Sequence, residues 1–174
     1  MKTYHRRRRD NQQWILDWVV KQTGRVQNFE YDEREVPSYV KSYAMIPKAM
    51  GKVGRHREEI AVSAEKAGHR RTALLAYFLA VRAYHIAQHS IFQDDNKLKI
   101  LYHGKLLECF DGIIRCADYP IERVEVPWEG VNIQGNLHLL PDRRRAPCVI
   151  FVPGMDQVKE LFPDPAADLF WRSL

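Results

Sequence analysis

Residues 148–152, Cys-Val-Ile-Phe-Val, are continuously apolar and stop abruptly at Pro153-Gly154, and no other segment limits the fold of this chain so much. A strand without polar alternation has both faces covered, the condition of a central strand in a largely parallel sheet. Such a strand needs neighbours on both sides. About 20 residues follow it, too few to supply them, so the sheet is expected to be completed by polypeptide outside this chain.

The remainder reads as helices and then a hairpin. Residues 10–22 carry Trp14, Ile15, Trp18 and Val19 at helical spacing, ending at Gly24. Residues 25–47 are mixed, with a short helix expected from Pro37 onward. A helix is predicted over 55–67, broken by Gly68. A second, over 70–90, carries Ala73, Ala76, Tyr77, Ala80, Tyr84 and Ala87 on one stripe. Small residues at steps of three and four let a neighbouring helix approach closely. Asp94 or Asp95 can cap a third helix over 96–116, where Leu98, Leu101, Tyr102, Lys105, Leu106 and Cys109 recur at helical steps. At Tyr119-Pro120 the period changes. Residues 121–126 alternate as a half-buried strand does, 127–130 read as a turn, and 131–140 alternate again, which predicts a hairpin. The expected organisation is a basic tail (1–9), an all-helical unit (10–118) and the start of a sheet domain (119–174).

Composition narrows the class further. The 174 residues, 45% hydrophobic and 28% charged, suit one domain, or a small domain and part of another. No apolar run reaches the length of a membrane-spanning helix, and no apolar stretch follows the N-terminal arginines as a secretory signal requires. Three widely spaced cysteines argue against a disulfide framework and fit a reducing cytoplasm. Arg6 to Arg9 supply four of the five net positive charges, so the rest is nearly neutral and a nucleic-acid partner is not expected. That tail reads as solvated.

The run Glu122-Arg123-Val124-Glu125-Val126-Pro127-Trp128-Glu129-Gly130, then Gly135-Asn136-Leu137 and Pro141, resembles the opening of certain α/β-hydrolases. The apolar run 148–152 followed by Pro153-Gly154-Met155-Asp156-Gln157-Val158-Lys159-Glu160 strengthens the likeness. It is similar to the G-x-D-x-x-K-E loop of the esterase-like group that includes dihydroxypseudooxynicotine hydrolase and the fermentation–respiration switch protein. Fungal hydrolases that shorten polyketide pigment precursors are similar too. In this group a helical cap precedes the hydrolase sheet, and Ala80, Tyr84-His85, Ala87 and Asp95 resemble the end of such a cap. The fold class implied is therefore a truncated α/β-hydrolase: helical cap, hairpin and first buried strand.

The resemblance also assigns roles. The loop after this strand gives a backbone N–H to the oxyanion hole. By position Gly154 shapes the loop and Met155 supplies the N–H. Asp156 is expected to cap a helix beginning near Gln157, and Lys159 and Glu160 to pair with a neighbouring loop, all three supporting the donor. No metal or organic cofactor is implied. The substrate is a small carbonyl compound, an ester or a ketone with a scissile C–C bond beside it. The apolar, tyrosine-rich cap face is expected to shape the pocket and to offer a homodimer contact.

No G-x-S-x-G occurs: Ser38, Ser42, Ser63, Ser90 and Ser173 all lack the flanking glycines of a nucleophile elbow. The resemblance puts the Ser, Asp and His beyond Leu174, so the chain alone is not expected to hydrolyse anything. Other groups have plainer readings. His85 and His89 have metal-ligand spacing but no further ligand pattern, and read as structural. Cys109 and Cys116 read as core residues of one helix face, and Cys148 as inert in its buried strand. The competing reading is a helical adaptor that binds a protein partner without catalysis, favoured by the two Ala/Tyr-rich helices.

Overall fold

A computed structural model describes residues 36–37, 39–154 and 156–164 of the chain. The expected helix over 10–22 and the Arg6–Arg9 tail lie outside the described residues. In place of a short helix from Pro37 there is a turn, closed by the Val40 N–H donating to the Pro37 carbonyl at 2.9 Å, and a 3₁₀ turn at Tyr43–Met45.

Three helices follow: α1 (Ile46–Lys66), α2 (Arg70–His89) and α3 (Lys97–Cys116). The first begins well before the expected Arg55 and runs through Gly51 and Gly54. Each glycine costs a helix about 1 kcal/mol relative to alanine, yet here each makes room for a ring. A Cβ at Gly51 would overlap Tyr102, and one at Gly54 would sit 2.8 Å from the Tyr84 ring. Packing overrides propensity. The end of α1 does follow local chemistry. Gly68 adopts φ +78, the His69 N–H donates to the Ala64 carbonyl at 2.9 Å and the Gly68 N–H to Glu65 at 3.0 Å, a left-handed cap that satisfies the last carbonyls. The cap of α3 is Asn96, not Asp94 or Asp95: its Oδ1 accepts from the Leu98 N–H at 2.9 Å. Asp94 instead accepts from Lys99 Nζ at 2.5 Å.

The middle helix organises the unit. Both α1 and α3 pack along α2; their backbones seldom approach each other, and side chains bridge them, Lys105 to Glu58 and Arg115 to Glu65. The stripe Ala73, Ala76, Tyr77, Ala80, Tyr84 and Ala87 is buried throughout, so small side chains bring the backbones together as ridge-and-groove packing requires. On α3 the expected stripe is shifted. Leu101 is exposed, and the buried side is Leu106, Cys109, Phe110, Ile113 and Cys116. The main core joins these to Leu74, Phe78 and Val81 of α2 and continues into Tyr119 and Ile121 at the base of the hairpin. A second cluster, Val36, Val40, Ile46, Ala49, Met50, Ala83 and Ala87, closes the other end.

The hairpin consists of β1 (Ile121–Trp128) and β2 (Val131–His138), antiparallel, with Ile121 opposite His138 and Trp128 opposite Val131. Its two loop residues, Glu129 at φ +45 and Gly130 at φ +83, match the right-handed strand twist as a primed turn does. Residues facing each other across the ladder share a face. One face therefore holds Ile121, Arg123, Glu125, Gln134, Asn136 and His138, and it is tied to the helices. Ile121 is in the core, Arg123 pairs with Asp111 of α3 and lies over the Phe110 ring. The other face, with Val126, Trp128, Val131 and Ile133, is exposed, so the half-buried alternation read from the sequence is not realised there.

Residues 148–152 depart furthest from expectation. They form no hydrogen-bonded strand; Val149 is 70% exposed, Ile150 86% and Val152 81%. Cys148 is exposed as well, not buried. Apolar character alone does not make a strand: the ladder needs a partner, and among the described residues none lies alongside. Three helices and a two-stranded antiparallel sheet fit part of an α/β-hydrolase.

Candidate functional site

The segment that follows the apolar run folds into two successive turns. The Gln157 N–H donates to the Gly154 carbonyl at 3.0 Å and closes the first. Asp156 lies inside it, and a Cβ on Gly154 would stand 2.9 Å from Asp156 Oδ1. Met155, the expected oxyanion donor, lies outside the described residues. After an extended Val158 comes a 3₁₀ turn, Lys159–Leu161, held by the Leu161 N–H on the Val158 carbonyl at 3.2 Å and the Phe162 N–H on Lys159 at 3.3 Å.

No helix begins near Gln157, so Asp156 is not a helix cap. The reason is local. Pro163 and Pro165 follow within two turns, and proline both removes a helical N–H and disfavours helical geometry in the residue before it. What remains is too short to repay helix nucleation. Lys159 and Glu160 pair with each other, Nζ to Oε1 at 2.7 Å, and not with a neighbouring loop. Glu160 is 2% exposed, because the 3₁₀ turn sits on α2 and β2, with Val158 and Leu161 against the main core. Phe162 returns to Phe151, ring centroids 4.7 Å apart. The structure thus brings Gly154, Asp156, Lys159 and Glu160 into one short segment and seats its far end on the helical unit.

The helical unit carries a second constellation that the sequence reading missed. Glu58 accepts from Tyr84 Oη at 2.6 Å and from Lys105 Nζ at 3.1 Å. One heptad along, Glu65 accepts from Tyr77 Oη at 2.6 Å and from Arg115 Nε at 2.8 Å. Each triad takes its carboxylate from α1, its phenol from α2 and its cation from α3. The signal was present in the shared seven-residue spacing of Glu58/Glu65 and Tyr77/Tyr84, which puts both pairs in register across antiparallel helices. Hydrogen bonds from Arg115 and then Tyr77 hold the Glu65 carboxyl down to about 2. Burial, followed by the hydrogen bond to the carboxylate, pushes each phenol up, so both tyrosines stay neutral donors. Glu58, Tyr84 and Lys105 line an open cleft of about 540 Å³ together with Arg55, Glu59, Val62, Ser63 and Lys66. With both Glu58 oxygens engaged by its neighbours, the triad is built to tie helices together.

Three other chemistry-bearing groups, His85, Cys109 and His138, are packed, whereas Cys148 is exposed. His85 is buried and stacks on His89 at 5.6 Å. Burial pushes the Cys109 thiol up to about 12 and keeps it unreactive. Burial also depresses His138, to about 4, and its Nδ1 lies 3.2 Å from Tyr119 Oη. Among the described residues no group of His, Cys, Asp and Glu is arranged to hold a metal ion, and no helix is long and apolar enough to cross a membrane.

A known protein points to the α/β-hydrolase superfamily. The chain is 32% identical over 108 residues to an α/β hydrolase (xenA) of Xenoacremonium sinensis, which covers 59% of this chain and 25% of that protein. The chain therefore spans about a quarter of the length of the curated relative it matches. This distant, partial similarity supports the superfamily and does not reach the narrower esterase-like group. No protein-family model matches the chain.

Proposed function

We propose that this chain supplies the helical cap and the oxyanion loop of a serine α/β-hydrolase that cleaves esters or C–C bonds beside a ketone, in a reducing cytoplasmic setting. The nucleophile, its histidine and the aspartate lie on polypeptide outside these 174 residues. In this reading the serine attacks the substrate carbonyl, the histidine takes its proton, and the Met155 backbone N–H, presented by the Gly154 turn, holds the developing oxyanion. One such donor is worth about 3 kcal/mol of barrier. Asp156, Lys159 and Glu160 support the loop. The tyrosine-rich face of the helices bounds the substrate pocket and offers a contact to a second copy. The observation that carries the reading is the apolar run 148–152 opening into Pro-Gly-x-Asp-x-x-Lys-Glu, in a chain similar to an α/β hydrolase.

A second reading, a non-catalytic adaptor, draws on the exposed apolar face of Val126, Trp128, Val131 and Ile133, which suits a protein partner. Turnover of a short aryl ester separates the two, measured for this chain alone and mixed with the polypeptide that follows it. Turnover in the mixture alone, with most of it lost on Gly154→Val while the helices stay folded, supports the hydrolase. A mixture that binds but never hydrolyses supports the adaptor.

A further inference from the structure

The Gly154 loop is not free-standing. Its first turn is closed by one backbone hydrogen bond, Gln157 N–H to the Gly154 carbonyl, and such a turn holds its shape only weakly by itself. Immediately after it the chain is fixed. Val158 and Leu161 pack on the main core, the 3₁₀ turn Lys159–Leu161 contacts both α2 and β2, and Glu160 is buried with Lys159 as its ion-pair partner. Glu160 Oε1 lies within ion-pair distance of Lys159 but accepts no hydrogen bond, so it is the packing of Val158 and Leu161 that fixes the chain here. The anchoring surface on α2 belongs to the same core that joins the three helices.

We infer that the helical unit is the mounting of this loop: Val158 and Leu161 are positioning residues through which α2 and β2 hold the hydrogen bond between Gln157 and Gly154 in place. The inference rests on the reading of that turn as the oxyanion loop. It deepens the reading by giving the helices a task besides covering substrate. Changes on α2 then reach the loop through Leu161 without touching substrate.

The test is amide hydrogen exchange by NMR on the 174-residue chain, read at Gln157, Leu161 and Phe162, whose N–H groups are hydrogen bonded. Val158→Ala removes two methyl groups from the anchor, so exchange at Gln157 is expected to rise about tenfold. Amides inside α1, α2 and α3 should stay within about twofold of their original rates. Leu161→Ala should act more strongly, and Leu161→Met, which refills the site, should restore protection. Should Leu161→Ala unfold the chain, Val158→Ala and Leu161→Met are read in the same way. Faster exchange at Leu161 and Phe162 with Gln157 unchanged overturns the inference, because the turn would then keep its own shape. Equal acceleration in loop and helices overturns it too, since the loop would report global opening only. Intact coupling in a chain that never yields ester turnover would sink the oxyanion reading and leave the mounting standing.

Discussion

Two titrating side chains make opposite use of their surroundings. Arg115 and Tyr77 both donate to Glu65, which lowers its pKa from 4.5 to about 2. His138 has its pKa lowered from 6.5 to about 4 by burial. The unfolded chain takes up each proton before the folded one does, so in both cases stability falls as acid is added. The windows differ. His138 acts first, removing stability between about pH 6.5 and 4, and Glu65 follows between about 4.5 and 2. Urea midpoints measured from pH 7 to pH 3 should therefore fall in two stages. His138→Gln should flatten the upper stage and leave the lower one, whereas Glu65→Gln should flatten the lower stage at a cost of about 1–2 kcal/mol at neutral pH. A single acid transition unaffected by His138→Gln would contradict this assignment.

At the scale of the helices, stability depends on glycines that admit tyrosine rings. On α3, a Cβ at Gly112 would stand 2.5 Å from the Tyr77 ring, whereas one at Gly104 would meet nothing within 4 Å. Gly→Ala inside a helix normally gains up to about 1 kcal/mol. Gly104→Ala should show that gain as a higher Tm. Gly112→Ala should show a loss of about 1–2 kcal/mol, since overpacking outweighs propensity, and Tyr77 could not move aside without breaking its bond to Glu65. A gain at both positions would mean that the seam is loose. The same glycines explain what was legible in the sequence. The hairpin turn is visible from residue type, although it is expected over 127–130 and only Glu129 and Gly130 form it, β1 running on through Pro127 and Trp128. The break at Gly68 is likewise a local backbone matter, visible from residue type. The start of α1 was not, because Gly51 and Gly54 weaken a helix until Tyr102 and Tyr84, about 30 or more residues away, are brought against them. Likewise the pattern around Gly154 was visible, but the burial of Glu160 on α2 depends on long-range packing that no local motif encodes.

For the whole molecule the decisive feature is its unmatched apolar surface. Val149, Ile150, Phe151 and Val152 are exposed in a segment that joins no ladder among the described residues, and Val126, Trp128, Val131 and Ile133 form the outer face of the hairpin. Extended apolar backbone with unpaired N–H and C=O groups is a template for another strand. The 174-residue chain should accordingly self-associate as its concentration rises, seen by sedimentation velocity as a mass increasing beyond 20.4 kDa. Ile150→Lys places a charge on the most exposed of these side chains and should suppress association, as edge lysines do, without lowering the Tm of the helical unit, whose core lies elsewhere. The outcome in the mixture with the following polypeptide is what gives the substitution its meaning. If the run is completed there into a covered strand, as the hydrolase reading requires, Ile150→Lys would bury an unpaired ammonium and abolish both complex and ester turnover. If it serves as an exposed adaptor surface, the same change should weaken one partner and leave the fold intact. The residue that best protects the isolated chain should thus be the one a completed sheet cannot tolerate, and that reversal of sign distinguishes a strand awaiting its neighbours from a surface that works as it stands.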